Sequence, residues 1–493
     1  MIEPQLVLRS GSLRDLERLH GNAQPSLMER AGAAGCGLAL QLIAGSLKPP
    51  LILAGPGNNG GDALVVARLL KQQGLEPVLV FAGAAEKLPT DARIAHDAWL
   101  ARGGTLLTDI PAGDYGIIID GLLGIGLGNR PLEGRLAALV ERINKLGGTV
   151  LALDIPSGID SETGQVRGAA VRATHTATFV ALKPGLLTLD GPDHCGAVTV
   201  SDLGLNVNPA DGSTVALALF ADRLQARRKN SHKGSYGSAG IVGGAPGMTG
   251  AALLAGSAAL KLGAGRVYLG MLEKLAVDPS QPELMLRTGD EVLALATCVA
   301  VGPGLGQSAA ALTMLRRAID SDLPLLLDAD ALNLLAGHPV LAAKIARRSA
   351  PTLLTPHPAE AARLLGCDVA MVQADRVAAA VDLARRFKAP SVLKGCGSVI
   401  AFPDGRWFIN TTGNPGLSSA GTGDVLSGMA VALLAQGWPA DQALLAAVHL
   451  HGAAADACLA AAGGPIGLTA GELIGPARKL FNNWITASTS LHD

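Results

Sequence analysis

Short, wholly apolar runs recur along the chain and are separated by longer stretches rich in Ala and Leu. Leu51–Ala54, Ile117–Ile119, Val150–Leu153 and Leu325–Leu327 contain no polar residue. A strand with one wet face alternates apolar and polar positions, so unbroken runs of this length mark strands buried on both faces. The pattern places strands near 51–54, 77–81, 116–120, 149–153 and 177–182 in the first half. In the second half it places them near 239–243, 265–270, 297–301, 324–328, 352–355, 391–394 and 406–409. Their alternation with helices predicts parallel, doubly wound sheets, hence an α/β fold. Ala221–Tyr236 has no strand pattern, carries Arg227, Arg228, Lys229 and Lys233, and precedes a fresh strand–glycine–helix unit. The division is therefore expected near residue 222, giving domains over 1–222 and 223–493. The basic cluster reads either as a solvated linker or as an arm over the second domain's phosphate site.

Composition narrows the class. A chain of 493 residues exceeds what one core usually serves, in keeping with two domains. With 16% charged residues and a formal net charge of −1, no basic excess favours nucleic acid or an anionic membrane. A mean hydropathy of +0.34 raises the question of a membrane protein. The apolar runs, however, are short and broken by Gly, Pro or Asp, too short to span a bilayer. Met1–Leu6 shows no basic stretch leading into an apolar block, so no signal peptide is expected. Cys36, Cys195, Cys298, Cys367, Cys396 and Cys458 are widely spaced without a C-x-x-C pair, which argues against a disulfide scaffold or a zinc site. The expectation is a soluble cytoplasmic protein whose Ala-rich, weakly charged helices suit a homo-oligomer.

In the first half, strand 51–54 runs into Gly55-Pro-Gly57-Asn58-Asn59-Gly60-Gly61-Asp62 and then a helix from Ala63 to Gln73. The glycines fit the dinucleotide spacing G-x-G-x-x-G. The next strand nevertheless ends Val80-Phe81-Ala82-Gly83, without the acid that holds a ribose. Asn58, Asn59 and Asp62 instead suit a polar ligand or a cation. Three further strand ends converge on the same sheet edge, where open α/β folds bind ligands. These are Asp120 with its loop through Gly124-Ile-Gly126-Leu-Gly128-Asn129-Arg130, then Asp154-Ile-Pro-Ser157, then Lys183-Pro184-Gly185. Arg130 offers a counter-charge for phosphate. Asp154 and Lys183 are the groups able to move protons.

The second half repeats the theme. Its strand ends carry Gly243-Gly244, Gly302-Pro-Gly304-Leu-Gly306, Asp328-Ala-Asp330, Thr355-Pro-His357-Pro-Ala-Glu360 and Lys394-Gly395-Cys396-Gly397-Ser398. No Walker-type phosphate loop occurs. His357 is either a site residue in a rigid loop or a buried structural histidine. Gly421-Thr-Gly423-Asp424 then leads into an apolar helix. Free amides at a helix start suit a phosphoryl group. An aspartate there is either an N-cap or a general base that takes a hydroxyl proton beside the transferred phosphate.

These motifs resemble a known pair of domains. Gly-Asn-Asn-Gly-Gly-Asp, the Asp120 loop, Asp-Ile-Pro-Ser-Gly and Leu-Lys-Pro-Gly look like the Rossmann-like NAD(P)H-hydrate epimerase domain over about 10–220. The resemblance implies that Asn58–Asp62 and Gly124–Arg130 hold a hydrated nicotinamide nucleotide. It also implies a potassium ion at Asn58, Asp120 and Ser157, with Asp154 at the reacting end. Hard oxygen ligands suit an alkali cation and not zinc. Ser-His-Lys-Gly at 231–234, Gly-Pro-Gly-Leu-Gly, Thr-Pro-His-Pro-Ala-Glu and Asn-Pro-Gly-Leu-Ser-Ser-Ala-Gly-Thr-Gly-Asp resemble the ADP-dependent NAD(P)H-hydrate dehydratases. These form a branch of the ribokinase-like superfamily, and the resemblance covers about 225–490. It implies that Ala251, Gly304, His357 and Asp424 contact the hydrate, that Lys394–Ser398 and Gly423 hold the adenosine nucleotide, and that magnesium accompanies ADP. The expected function is repair of hydrated NADH and NADPH (NADHX, NADPHX): epimerisation, then ADP-dependent dehydration of the S form. Two rivals are a hydroxymethylpyrimidine- or hydroxyethylthiazole-type kinase with a fused domain, and a first domain that only binds nucleotide or oligomerises.

Overall fold

A computed structural model describes residues 3–128, 130–207 and 212–489. The chain forms two compact units that meet in sequence between Ser213 and Thr214, earlier than the expected division near 222. Val215, Phe220 and Leu224 explain the difference, because all three bury in the core of the second unit.

The first unit contains helices α1 (Ser10–Leu19) and α2 (Leu27–Ile43), then strand β1 (Pro50–Ala54), helix α3 (Asn58–Gln72) and strand β2 (Val78–Phe81). Helix α4 (Thr90–Ala101), strand β3 (Ile117–Gly121), helix α5 (Gly134–Leu146) and strands β4 (Val150–Leu153), β5 (His175–Phe179) and β6 (Ala197–Ser201) follow. The sheet order is β2-β1-β3-β4-β5-β6, with every pairing parallel. Alternate residues of β1 enter different cores. Ile52 and Ala54 pack with α2, α3 and α4, whereas Leu51 and Leu53 pack with α5. That is the Rossmann-like three-layer arrangement, and the strand order reverses between β1 and β3, where such sheets open a crevice.

Strand β5 ends at Phe179, short of the expected 182, because Val180 adopts φ 67° and breaks the extended run. Strand β6 is absent from the expected set; its half-exposed residues never form a wholly apolar run.

The second unit contains β7 (Ser238–Gly243), α6 (Thr249–Lys261), β8 (Arg266–Met271), β9 (Met285–Arg287), β10 (Cys298–Val301) and β11 (Leu325–Leu327). Helix α7 (Ala329–Ala336), β12 (Thr352–Leu354), α8 (Pro358–Leu365), α9 (Arg376–Phe387) and β13 (Ser391–Leu393) come next. They are followed by β14 (Ser398–Ala401), β15 (Trp407–Asn410), α10 (Thr422–Ala435), α11 (Ala440–Ala462) and α12 (Ile474–Thr489). The strands run β15-β14-β13-β12-β11-β10-β7-β8-β9, parallel except for the two antiparallel pairings that join β13, β14 and β15. This is the ribokinase-like α/β domain. Helix α10 is buried throughout from Val425 to Ala435 and packs against α6. Helix α11 has the length and apolarity of a membrane span, but its residues from Ala443 to Ala455 lie mostly in this unit's core.

Candidate active sites

The crevice of the first unit is a cavity of about 460 Å³. Of the expected ligand residues, Asn58, Asn59, Asp62, Gly124, Ile125, Gly126, Arg130, Asp154 and Lys183 line it. Gly60 and Gly61 do not. They are packing glycines: a Cβ on Gly60 would stand 2.0 Å from the Gly55 carbonyl oxygen, and one on Gly61 would stand 2.5 Å from Met28. Leu127 is buried and Gly128 shapes the loop at φ 60°, while Asn129 lies outside the described residues.

Asp154 follows β4 in a left-handed conformation, φ 66°, which non-glycine residues adopt at some cost and which clusters at functional sites. Its Oδ1 lies 2.5 Å from Lys183 Nζ, and its Oδ2 accepts from Ile125 N at 3.3 Å. Gly124 permits that approach, since a Cβ there would sit 2.9 Å from Oδ2. Lys183 is 1% exposed and also donates to Thr178 Oγ1 (2.8 Å) and the Phe179 carbonyl (2.9 Å). Three acceptors thus occupy the three donors of the ammonium. Burial first, and then the charges of Asp154 and Glu17, push the Asp62 carboxyl well above the usual carboxylate range. Asp62 therefore keeps a proton where an ordinary aspartate has lost it. Glu17, on α1, reaches the same cavity. Neither the apolar pattern nor the glycine motifs pointed to it.

Asp120 and Ser157 are hydrogen-bonded to each other. Asp120 is fully buried. Its Oδ1 accepts from Ser157 Oγ (2.6 Å) and Leu122 N (3.1 Å), and its Oδ2 accepts from Ser157 N (2.8 Å). No lysine or arginine pairs with it among the described residues. Burial lifts its pKa, although these hydrogen bonds oppose the shift. The side-chain Oδ1 of neighbouring Asn59 is buried without a partner. A buried carboxylate and an orphaned amide oxygen are hard donors that fit an alkali cation. Asn58 stands at the exposed start of α3.

In the second unit Asp424 is the third residue of α10, whose N-cap is Gly421 at φ 88°, so Asp424 is not the cap. Burial first, and then the charge of Asp328, raise its pKa to about 7, against the lowering influence of Lys394. Beneath it lies a network. Lys394 Nζ donates to Asp328 Oδ1 (2.8 Å), and Ser427 Oγ, one turn along α10, donates to Asp328 Oδ2 (2.7 Å). Burial opposes the charge on Lys394, but Asp328 and Glu360 outweigh it and lift its pKa. A Cβ on Gly423 would lie 3.3 Å from Lys394 Nζ, so glycine lets the ammonium reach the first turn. His451, buried and held near pKa 4 chiefly by desolvation, is neutral and donates through Nε2 to the Thr422 carbonyl (2.9 Å).

The other residues expected to hold the hydrate and the nucleotide fall around this turn. Gly304, at φ 58°, packs on the start of α6, where its Cβ would stand 3.1 Å from that of Ala251. His357 is half-exposed rather than buried. Its Nδ1 accepts from Ala359 N (3.1 Å) and its Nε2 faces Glu360 Oε1 (3.2 Å). Desolvation and Lys394 lower its pKa, keeping it neutral. Gly395 (φ 146°) and Gly397 (φ 62°) shape the hairpin between β13 and β14, with Cys396 exposed at its tip. Gly395 N donates to Ser398 Oγ at 3.2 Å, closing the turn. Buried Arg376 supports the hairpin from below by donating to the carbonyls of Leu393, Lys394 and Gly397. Asp328, Arg376, Ser427 and His451 received no role from the sequence; Asp328 alone had a visible signal, an acid closing an apolar strand. The basic segment 227–233 precedes β7, at the opposite sheet edge from the Gly243 end, so it does not overhang the Asp424 turn.

A family model described as YjeF-related protein N-terminus matches residues 24–185, and one described as NAD(P)H-hydrate dehydratase matches 239–475. The chain is 41% identical to the bifunctional NAD(P)H-hydrate repair enzyme Nnr of Escherichia coli (strain K12), over 88% of this chain and 85% of that one. It is 38% identical to the enzyme of that name from Coxiella burnetii, over 97% and 99%. A crystal structure of an ADP/ATP-dependent NAD(P)H-hydrate dehydratase from Bacillus subtilis, co-crystallized with ATP/Mg2+, is 32% identical. It covers 55% of this chain and 98% of that one at a TM-score of 0.49. With both domains present and similarity along nearly its whole length, the chain belongs to the family of bifunctional NAD(P)H-hydrate repair enzymes.

Proposed function

We propose that the first unit interconverts the R and S hydrates of NADH and NADPH at Asp154, and that the second dehydrates the S form with ADP at Asp424. The carrying observation is a carboxylate raised to about 7 in the first turn of α10, beside free amides and a lysine. A base poised near working pH suits removal of a hydroxyl proton. In this reading Asp424 takes the proton of the ring hydroxyl. The oxygen then attacks the terminal phosphoryl group of ADP, and the bond to the departing AMP breaks. Amides of the first turn and Lys394 offset the developing charge. The carbon–oxygen bond then breaks under the push of the ring nitrogen lone pair. Phosphate leaves, a ring proton is lost, and the reduced nicotinamide is restored. Ala251, Gly304 and His357 would seat the hydrate, with Gly423 and the 394–398 hairpin holding the nucleotide.

Magnesium would neutralise the nucleotide phosphates. It would arrive with the nucleotide, whose phosphate oxygens are its natural ligands. Potassium would be held by Asn58, Asp120 and Ser157 and supply a counter-charge to the buried carboxylate. In the epimerase cavity, Lys183 holds Asp154 in place and Asp62 is the nearby carboxyl able to donate a proton. Six free cysteines support the reduced cytoplasm as the compartment, and we expect a homo-oligomer.

The test supplies each purified epimer with ADP and follows reduced nicotinamide absorbance and free phosphate. Asp154→Ala should abolish epimerisation and spare dehydration of the S form. Asp424→Ala should cost about 10²–10⁴-fold in dehydration turnover while nucleotide affinity stays within about tenfold. Accumulation of a phosphorylated product in place of free phosphate would return the second unit to the kinase reading.

A further inference from the structure

A cavity of about 1050 Å³ in the second unit lies away from Asp424. Arg223, Arg227, Arg228, Lys261 and Arg478 line it, against one acid, Glu283. Arg223 is paired with Asp222 at 3.1 Å and Lys261 acts on the Glu283 carboxylate, whereas Arg228 and Arg478 are exposed and in no ion pair among the described residues. With five cations and only these two carboxylates at the concavity, the balance is positive and focuses a positive potential in it. The walls also carry aromatic area from Tyr236, Trp438 and Phe481. Arg227 already stacks over the Tyr236 ring at 3.7 Å. Cations beside aromatic faces are the chemistry that binds a phosphate-bearing ligand with a flat ring system.

The floor of the cavity is the C-terminal ends of two helices whose opposite ends form the dehydration site. Helix α6 begins near Ala251 and finishes at Lys261; α10 carries Asp424 in its first turn and ends at Ala435, before Gln436. The 14 residues of α10 separate the two places by about 20 Å. One cross-link ties both ends together. Arg227 donates to the Gly263 carbonyl and to Gln436 Oε1, while Gln436 Nε2 donates to the Leu262 carbonyl at 3.2 Å. An anion that draws on Arg227 acts on both helices at once.

We propose that this cleft is an effector site for a phosphate-bearing anion of nucleotide size, linked to the dehydration site through α6 and α10. Linkage requires that such a ligand change the apparent affinity for the hydrate. The test titrates the full-length protein with inorganic tripolyphosphate, and separately with ADP, while following tryptophan fluorescence. A saturable change should vanish in Trp438→Phe, weaken at least tenfold in the double variant Arg228→Glu/Arg478→Glu, and weaken with added salt. The KM for the hydrate should shift at saturating tripolyphosphate in the parent and stay fixed in the double variant. A tighter response to ADP assigns the aromatic walls to a base, and a tighter response to tripolyphosphate assigns the ligand to a polyphosphate. Silence with both probes, a response retained in the double variant, or an unmoved KM overturns the proposal. Dissociation of the protein by the double variant, with the parent indifferent to both probes, would make the cleft a contact between copies and overturn it too.

Discussion

Asp424 draws its character from groups distant in sequence. Desolvation and the Asp328 charge raise its pKa to about 7, and Lys394 pulls the other way. A base acts only when deprotonated, so kcat/KM for dehydration should climb with pH through about 7. In Asp328→Asn a raising charge is lost and Lys394 is freed from its partner, so the rising limb should move to lower pH. A pH–rate profile checks this, and an unmoved limb would mean that Asp328 is a structural brace only. Asp120 makes a separate prediction. If potassium binds there, potassium should raise the melting temperature of the parent relative to choline at equal ionic strength, because a ligand of the folded state stabilises it. Asp120→Asn should remove the difference. The types of these residues were readable in sequence: acids and a lysine close apolar runs. Their partners were not, since Asp328 follows β11, Lys394 follows β13 and Ser427 lies within α10.

At the scale of elements, glycine-rich loops set how closely backbones approach. Gly55 illustrates the constraint: a Cβ there would stand 1.7 Å from the Leu122 carbonyl oxygen, a backbone atom that a side-chain rotation cannot move. Gly55→Ala should force the β1–α3 and β3 loops apart and destabilise the first unit by about 1–3 kcal/mol, the range seen for overpacking. Denaturant unfolding would measure it. Epimerisation should fall while dehydration holds, because Leu122 lines the Asp154 cavity and not the Asp424 site. The loop was legible as G-x-G-x-x-G, yet its glycines divide by function. Gly55, Gly60 and Gly61 serve packing, and the ligand-facing work falls to Asn58, Asn59 and Asp62. Strand β14 escaped the apolar pattern for a related reason: a hairpin partner four residues long, hard against a glycine turn, reads as part of the loop.

At the scale of the whole molecule, two chemistries share one chain without sharing residues. In the proposed reading the second unit uses the S hydrate, the first unit supplies it, and the hydrate is released into solution in between. Mixing Asp154→Ala chains with Asp424→Ala chains should therefore restore full conversion of an R,S mixture with ADP, whereas either variant alone stalls. Reduced nicotinamide yield measures this. Failure to complement would indicate that the hydrate passes between units of one chain without release.

The sequence by itself determined the class of fold, the two-unit organisation and the ring of strand-end motifs, because apolar runs and glycine spacing are local and survive without knowledge of contacts. It also carried the family resemblance, which similarity along nearly the whole chain bears out. Only the tertiary structure decided which charges meet. The Lys183–Asp154 pair joins residues across β5, the raised Asp424 carboxyl depends on Asp328 nearly a hundred positions away, and the basic segment lies at the far end of the sheet. Burial and charge proximity are properties of packing, and packing brings together residues that no sequence window contains.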